Sequence, residues 1–574
     1  MDKQQILHIL LTFSSAVILA SCATTGSAPA PTGQDHVVAS REVKSLALYH
    51  YSRARLRLLE GDPDEALRLI GAAIEDDPDA AYLYLAAAGI HLKSNRIQDA
   101  VAAAEKSVAL EPERRQAQLL LANLFSMLRR NDEAAPHYLK AIELDPDKED
   151  AYLHLSVAYV KLYEYDKAVK LLKTYLERDP DATLVNYYLG KTYEQMKLSK
   201  EAILYFKRAL ESKPDFEQAF IDLGLSQESQ GLVDDAIATY RTLLEQNPNN
   251  TGVRQHLSQF LVQQERYEEA LTLLKELASS GHVGDDIQRK IGLLYLELEQ
   301  YDNAIQLFRT LLDKEPDSWQ VRFYLASAYE GKEQNATALE EFLKIPPSAP
   351  VYFETLGHIA YLYKELGNPE AGLTLLKKAV EAKKGGVEPY LLLARYQDAL
   401  GQPRQGLEAL IGVAADFPKE PRLFFNIGVL YDKTGNREAC IETMKKVIAL
   451  APDDAQALNY LGYTYAEMGI HLTEALGYIN RALTVTPGDG FILDSLGWVY
   501  FKMKKYDLAI VNLQRALTVV ADDPAILEHL AEAYYAGREY DNAIATYRKL
   551  IKLEPDKKEY ADRLKKIRSE SGER

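Results

Sequence analysis

Apolar side chains recur along most of this chain at intervals of three and four residues, in pairs of short segments separated by a turn. The clearest copy is the stretch Thr183–Phe216, in which Leu189, Tyr193 and Phe206 follow this spacing and residues 197–199 separate the two segments. Such spacing places apolar side chains on one face of an α-helix. The pattern therefore predicts two amphipathic helices joined by a short turn.

Small side chains occupy two positions of this 34-residue unit, the eighth and the twentieth, in every copy. In the clearest copy they are Gly190 and Ala202. Small residues that face each other let two helix backbones approach closely, and a proline at position thirty-two ends the second helix of most copies. The unit repeats about fifteen times over Ala47–Lys557, which predicts an all-α protein built as an α-solenoid.

This unit resembles the tetratricopeptide repeat (TPR), a helix–turn–helix of 34 residues whose copies stack into a right-handed superhelix. The small residues at positions eight and twenty, the apolar residues around them and the closing prolines carry the resemblance. It implies one continuous array rather than several globular domains. It also implies a concave surface formed by the first helices, which positions two, five, nine and twelve of each repeat face.

The charge balance bears on the kind of partner that the chain could bind. The chain has 84 acidic and 67 basic side chains and a net charge of −17. This balance argues against a nucleic-acid-binding surface and is compatible with basic or neutral protein partners. Its two cysteines provide no disulfide framework, and Cys440 takes the small position twenty of its repeat, where we expect a packed thiol.

The N-terminus has the pattern of a secretion signal. Residues 6–20 form an apolar run that is too short for a membrane span. It ends in Leu19-Ala20-Ser21-Cys22, which resembles the cleavage box of bacterial lipoproteins. The resemblance implies a lipoprotein signal peptide over residues 1–21 and a Cys22 that carries lipid, including palmitate. In the Gram-negative sorting pattern that this box resembles, aspartate after the cysteine favours the inner membrane, so Ala23 implies the periplasmic face of the outer membrane. An ordinary cleaved signal with a chance cysteine is the alternative.

Two interruptions of the repeat pattern predict joints within the array, because prolines end helices and consecutive glycines loosen a turn. These residues are Pro346, Pro347 and Pro350 in the ninth repeat and Gly385 and Gly386 in the tenth. We expect an N-terminal TPR subarray over 47–352 and a C-terminal one over 353–557, able to flex relative to each other. The small, polar residues before the array predict a flexible tether over 22–46, and the charged residues after it predict a capping helix and tail over 558–574.

Sequence motifs for catalysis are absent from the chain. It contains no H-E-x-x-H pair, no G-x-S-x-G turn and no G-x-x-x-x-G-K-[ST] phosphate loop. The eleven histidines are scattered through different repeats, and four of them fall at position six of a first helix: His154, His256, His358 and His529. The sequence therefore predicts no enzymatic activity, no metal site, no cofactor and no small-molecule substrate.

The late repeats carry aromatic side chains at positions that the resemblance assigns to the concave surface. Rigid aromatic rings bury a large area at low entropic cost, and nearby carboxylates and amides fix the orientation of a bound segment. The candidate partner-binding residues are Asn459, Tyr463, Phe491, Asp494, Trp498, Phe501, Glu528 and Tyr535. The alternative, which the sequence leaves open, is that Trp498 and Phe501 only fill space between neighbouring helices.

A narrower resemblance concerns the same late repeats. The segments LNYLGYTYAEMG, GFILDSLGWVYFKMKKYDLAIVNLQRAL and PAILEHLAEAYY resemble long proteobacterial TPR lipoproteins of the outer membrane. One branch of these proteins consists of adaptors that bring a periplasmic carboxyl-terminal processing protease to its cell-wall hydrolase substrates. The resemblance implies a non-catalytic, lipid-anchored scaffold that binds a protease and presents its substrates. The alternative is an envelope assembly factor for type IV pili, outer-membrane proteins or exopolysaccharide export.

Overall fold

The structure, a computed structural model, describes residues 34–279 and 284–571. These residues form thirty-one α-helices and no β-strand, which confirms the predicted all-α class. The helices are numbered α1 to α31 in chain order; odd numbers up to α29 are the first helices of the repeats and even numbers the second helices. The predicted signal peptide and Cys22 lie outside the described residues.

The described residues divide into two compact units, and the division falls between Leu257 and Ser258. The first unit contains α1 (Gln34–Leu59), α2 (Pro63–Asp76), α3 (Ala81–Lys93), α4 (Ile97–Leu110), α5 (Arg115–Met127), α6 (Asn131–Leu144), α7 (Glu149–Lys161), α8 (Tyr165–Leu176), α9 (Thr183–Gln195), α10 (Ser199–Ser212), α11 (Glu217–Ser229) and α12 (Val233–Gln246). The division falls within α13 (Thr251–Gln263), well before the boundary that the prolines predict between residues 352 and 353.

The second unit contains the remaining helices of the array and the helix that follows it. They are α14 (Tyr267–Ser279), α15 (Asp285–Glu297), α16 (Tyr301–Lys314), α17 (Trp319–Gly331), α18 (Asn335–Leu343), α19 (Tyr352–Glu365), α20 (Pro369–Glu381), α21 (Glu388–Ala399), α22 (Pro403–Ile411), α23 (Pro421–Lys433), α24 (Arg437–Leu450), α25 (Ala455–Met468), α26 (Leu472–Val485), α27 (Gly490–Lys502), α28 (Tyr506–Val519), α29 (Pro524–Ala536), α30 (Tyr540–Leu553) and α31 (Lys558–Ser571). A helix therefore lies where the charged C-terminal stretch predicts a cap.

The N-terminal boundary of the array differs from the expectation. Helix α1 begins at Gln34, so residues 34–46, where composition predicts part of a flexible tether, are helical. Ala47 and Ala54 on this helix are fully buried and pack in the apolar clusters of the first repeats. The first helix is therefore longer than the repeat pattern indicates. The pattern begins at Ala47, and the helix has additional turns before that residue.

The small residues at position eight make room for a large side chain of the second helix. A Cβ added at Gly190 would lie 2.7 Å from Phe206 Cδ1, and one added at Gly292 would lie 2.4 Å from Phe308 Cε1. Phe206 and Phe308 take position twenty-four of their repeats and are fully buried. In these two repeats the glycine faces the aromatic ring at position twenty-four. Positions eight and twenty also come close together, as the sequence pattern predicts, because a Cβ added at Gly462 would lie 3.0 Å from the carbonyl oxygen of Ala475.

The turn between the two helices of each repeat has one recurring conformation. Residue fifteen is in the left-handed region in every repeat, with φ between +55° and +84°: Gly61, Asn95, Arg129, Tyr163, Lys197, Gly231, Glu265, Glu299, Glu333, Gly367, Gly401, Gly435, Gly469, Lys504 and Arg538. Between the small residues Gly462 and Ala475 the sequence has one residue more than the other repeats have between positions eight and twenty. This residue lies in the turn between α25 and α26, where His471 also adopts a positive φ of +50°. The turn thus accommodates the inserted residue by adding one residue in the left-handed conformation.

The two predicted joints are packed by apolar side chains. Helix α18 ends at Leu343, before Pro346, as expected from the prolines. Ile345 and Val351 on either side of Pro346 are nevertheless buried in one cluster with Phe342 of α18. Flexing at Pro346, Pro347, Pro350, Gly385 and Gly386 stays a prediction; the described conformation has a continuous apolar core across the first of these joints.

At the second joint, Gly385 has a φ of +83° and a Cβ added to it would lie 2.1 Å from Phe353 Cζ. We expect Gly385→Ala to lower the free energy of unfolding by about 2 kcal/mol, since it combines backbone strain with displacement of the Phe353 ring. Gly386 has a φ of +63° and nothing within 4 Å of its added Cβ. The control Gly386→Ala should cost only the strain, about 1 kcal/mol. Urea unfolding of both variants measures the difference, and equal losses would contradict a packed Gly385.

Candidate protein-binding surface

The first helices form the inner side of each unit. The closest contacts between alternate helices all join first helices: α5 with α7, α7 with α9 and α9 with α11 in the first unit, and α15 with α17, α19 with α21, α25 with α27 and α27 with α29 in the second. In a curved stack, helices on the concave side approach those of the next repeat more closely. The first helices therefore line the concave side, as the resemblance implies.

A stack of three rings lies on α27 and α29. The Trp498 ring is parallel to that of Phe501, with centroids 4.6 Å apart, and lies 4.1 Å from the ring of His529 on its other face. The Tyr463 ring on α25 lies 6.3 Å from His529. This aromatic stack, Trp498, Phe501 and His529, brings together two of the predicted residues with a histidine that the sequence places at position six.

Polar contacts hold the aromatic stack in one orientation. Trp498 Nε1 donates a hydrogen bond to Glu467 Oε1, and Lys502 Nζ lies 4.8 Å from the centre of the Trp498 ring. Asp494 is 8% exposed, and its Oδ1 lies 2.8 Å from His529 Nδ1. Trp498 itself is half-buried and also contacts the apolar core of the preceding repeats. The ring is thus fixed by both faces and by its N–H, and part of it stays accessible.

The sequence leaves open whether Trp498 and Phe501 bind a partner or fill space, and the structure contains features of both. Phe501 packs against the core cluster of the last repeats, so both rings do contribute to packing. Neither is fully buried, and Phe491, at the start of the same helix, is 57% exposed. A packing role and an accessible edge therefore coexist in these side chains.

The remaining predicted residues have different surroundings. Burial raises the pKa of Tyr463, and the Oδ1 atom of Asn459 is buried without a hydrogen-bond partner among the described residues. Both side chains belong to α25, the first helix before the aromatic stack. Asn459 therefore retains an unused acceptor within the predicted surface.

Glu528 and Tyr535 contact the C-terminal cap. Tyr560 of α31 donates a hydrogen bond to Glu528 Oε2 at 3.0 Å, and Tyr535 donates one to Glu570. The Arg563 guanidinium lies 4.5 Å from the centre of the Tyr535 ring. The structure therefore pairs these two predicted groove residues with α31 rather than bringing them together with the aromatic stack.

A pocket that sequence reasoning missed lies on α17, α19 and α21. It encloses about 590 Å³, and six of its lining residues take positions two, five, nine or twelve of their repeats: Glu330, Glu354, Gly357, Tyr361, Glu388 and Arg395. The available signal was Gly357, the one glycine at position five in the array. The aromatic positions do not indicate this pocket, because the residue that marks it is a glycine.

The buried and ionisable residues elsewhere have structural roles. Cys440 is fully buried, and burial raises the pKa of its thiol to about 12, which agrees with a packed side chain at position twenty. Within residues 34–279 and 284–571, no group of three or more His, Cys, Asp or Glu side chains is arranged to hold a metal ion. None of the helices described there has the length and apolar character needed to cross a membrane.

Three family models, each described as tetratricopeptide repeat, match most of the array. One model matches residues 51–108, 88–149, 289–352 and 495–558. A second matches residues 128–187 and 227–289, and a third matches residues 185–216, 353–385 and 421–454. The TPR repeat-containing protein PA4667 of Pseudomonas aeruginosa is 28% identical over 185 residues, which are 32% of this chain and 31% of that protein.

Two solved structures are similar over most of the chain. The crystal structure of the APC/C hetero-tetramer Cut9–Hcn1 has 16% identity, covers 85% of this chain and 98% of its own, and has a TM-score of 0.37. The structure of Naa15/Naa10 bound to HypK-THB has 12% identity, covers 91% and 96%, and has a TM-score of 0.36. With the repeat register, the left-handed turns and the matched family models together, the chain belongs to the tetratricopeptide repeat family.

Proposed function

We propose that this protein is a non-catalytic scaffold that binds other proteins through the concave side of its repeats. The observation that carries the proposal is the aromatic stack on α27 and α29, whose Trp498 ring is fixed from both faces but not fully buried. A tryptophan held in one orientation contacts a partner with little loss of side-chain entropy on binding. TPR proteins are generally protein-binding scaffolds, which supports the same function.

The specific role that we propose is an adaptor for a periplasmic carboxyl-terminal processing protease. The late-repeat segments that resemble such adaptors lie in α25, α27, α28 and α29, and three of these helices carry Tyr463, Trp498 and His529. A partner bound there leaves the first helices of the other repeats free for a second protein. The protease and its cell-wall hydrolase substrates would then be held on one scaffold, which raises their effective concentration for each other.

The proposal includes a lipid anchor at Cys22 that holds the protein on the periplasmic face of the outer membrane. Its support is the Leu19-Ala20-Ser21-Cys22 box after an apolar run. Replacing Cys22 with serine should leave the protein uncleaved by the lipoprotein pathway and absent from detergent-extracted outer membranes. Membrane fractionation with an antibody to the native chain measures this, and an unchanged outer-membrane fraction would reject the anchor.

The test of the adaptor role is recovery of partners from the native envelope after brief cross-linking of the full-length protein. We expect a serine protease of the processing class together with cell-wall hydrolases, both identified by mass spectrometry. Purified protein should then accelerate cleavage of the recovered hydrolase by the recovered protease. Recovery of pilus, outer-membrane assembly or polysaccharide export components without a protease would reject the adaptor role and favour the assembly role, while the scaffold function would stand.

A further inference from the structure

The pocket on α17, α19 and α21 lies where one repeat lacks a side chain that the other repeats have. Position five of a first helix carries residues such as Tyr187, Phe323 and Phe425, and Gly357 is the exception in the array. The absence of this side chain deepens the space between neighbouring first helices. The pocket has a volume of about 590 Å³, which is large enough for an entire long side chain of a partner.

Neither packing nor backbone conformation requires glycine at position 357. A Cβ added at Gly357 would meet only Leu392 Cδ2, at an ordinary contact distance of 3.5 Å. By contrast, a Cβ added at Gly406 would lie 2.8 Å from the carbonyl oxygen of Ala394. Gly357 lies inside α19, where glycine costs about 1 kcal/mol relative to alanine. The chain therefore gives up helix stability at a residue whose effect is to keep a pocket open.

Three carboxylates face this pocket, and they differ in how far they are already neutralised. Glu330 Oε2 lies 2.7 Å from His358 Nδ1, and Glu388 lies 2.9 Å from Arg422 and 3.7 Å from Arg395. Each of these two carboxylates therefore has a cationic or hydrogen-bonding neighbour within the protein.

Glu354 is different from the other two carboxylates. Its side chain is exposed and has no hydrogen bond or ion pair with any described residue. With Glu330, Glu354 and Glu388 against Arg395, the lining has an excess of negative charge. A cationic group that enters the pocket could therefore pair with Glu354 without first breaking an existing ion pair.

The pocket also has apolar walls suited to the stem of a long side chain. The Tyr361 ring is 49% exposed, and Phe353 and Leu392 line the same space. A guanidinium group stacks on an aromatic ring and pairs with a carboxylate through parallel hydrogen bonds, and its three methylene groups contact apolar surface.

We propose that this pocket binds an arginine side chain from a partner protein, with the guanidinium between Glu354 and the Tyr361 ring. The site lies on other helices than the aromatic stack and goes beyond the function proposed above. An acidic ligand would face three carboxylates and would compete with Glu388 for Arg395, so the charge of the lining favours arginine over a carboxylate.

In the experiment, peptides that bind the full-length protein are selected from a phage-displayed library of random twelve-residue peptides. Binding to the Gly357→Leu variant serves as the counter-selection, because leucine would occupy the part of the pocket beside Leu392. Peptides that bind only the unmodified protein should be enriched in arginine. Synthetic copies labelled with fluorescein should lose about tenfold in affinity when that arginine is replaced by citrulline, which has the same shape without the charge.

Two charge-matched variants separate the pocket from the overall charge of the protein. Glu354→Gln should weaken the arginine peptide about fivefold, whereas Glu370→Gln, an equal change on the exposed start of α20, should leave its affinity unchanged. Both substitutions are on exposed side chains, so folding should be unaffected and thermal unfolding checks it. The variant Trp498→Ala with Phe501→Ala should bind the same peptide normally, which makes this test independent of the proposed adaptor role.

Three results would overturn the proposal. They are enrichment of acidic residues or free C-termini instead of arginine, equal binding of the selected peptides to the unmodified protein and to Gly357→Leu, and unchanged affinity of the citrulline peptide. If Gly357→Leu unfolds, the comparison of Glu354→Gln with Glu370→Gln decides in its place.

Discussion

Replacing both Trp498 and Phe501 with alanine is expected to weaken binding of the partner protein that contacts the aromatic stack by about 100-fold or more. Aromatic residues at the centre of an interface commonly contribute 2 kcal/mol or more each when truncated, and a factor of ten corresponds to about 1.4 kcal/mol. The double substitution also removes the ring that stacks on His529. Biolayer interferometry with the partner recovered from the envelope measures the dissociation constant.

The same substitutions remove packing, so folding must be followed separately. Because each repeat contacts only its neighbours, we expect the loss to stay local and the helical content by circular dichroism to stay within a few per cent of the unmodified value. The control is Tyr163→Ala with Tyr165→Ala, an aromatic pair formed by the turn after α7 and the first residue of α8, which should change neither binding nor helicity. Parallel loss of binding and helicity in the first variant would mean that the two rings belong to the core alone.

A second large effect is expected at a position-eight glycine. Gly292→Ala should lower the free energy of unfolding by about 3 kcal/mol, because the added Cβ would lie 2.4 Å from Cε1 of Phe308, which is fully buried and cannot move aside without opening the core. The expected loss is at the upper end for a single added methyl group.

The matched control is the same substitution at Gly477, which lies on the exposed side of α26 with nothing within 4 Å of its added Cβ. Gly477→Ala should raise the free energy of unfolding by roughly 0.5–1 kcal/mol through helix propensity alone. Chemical unfolding of the two variants therefore tests a difference in sign. A stabilised Gly292→Ala variant would contradict the close contact with Phe308.

The sequence predicts features that lie within one repeat. The class of fold and the pairs of helices follow from the spacing of apolar and small residues, and the helix after the array lies where the charged C-terminal stretch predicts a cap. Even the insertion near His471 is visible as a shift in register, and the structure has an additional left-handed residue there. Such features depend on residues that are close in sequence, where helix periodicity relates one position directly to the next.

Contacts between repeats are less accessible to sequence reasoning. Whether Tyr535 faces a partner or the capping helix depends on how α31 packs, and the hydrogen bond to Glu570 spans thirty-five positions of the chain. The pocket on α17, α19 and α21 likewise depends on three helices from three repeats. The spacing within one repeat does not contain the rotation between successive repeats, so it cannot decide which side chains of neighbouring repeats meet.

The left-handed residue fifteen has a consequence for how the molecule could be made more heat-resistant. Four consecutive repeats carry glycine there, Gly367, Gly401, Gly435 and Gly469, whereas Lys197, Glu299 and Arg538 hold the same conformation at a cost of about 1 kcal/mol each. Those turns connect the helix pairs and lie apart from the concave-facing positions. Residue fifteen of the repeat therefore affects thermal stability, whereas the concave-facing positions determine which ligand binds. Substitutions at residue fifteen could raise the thermal stability of the protein without altering its choice of ligand.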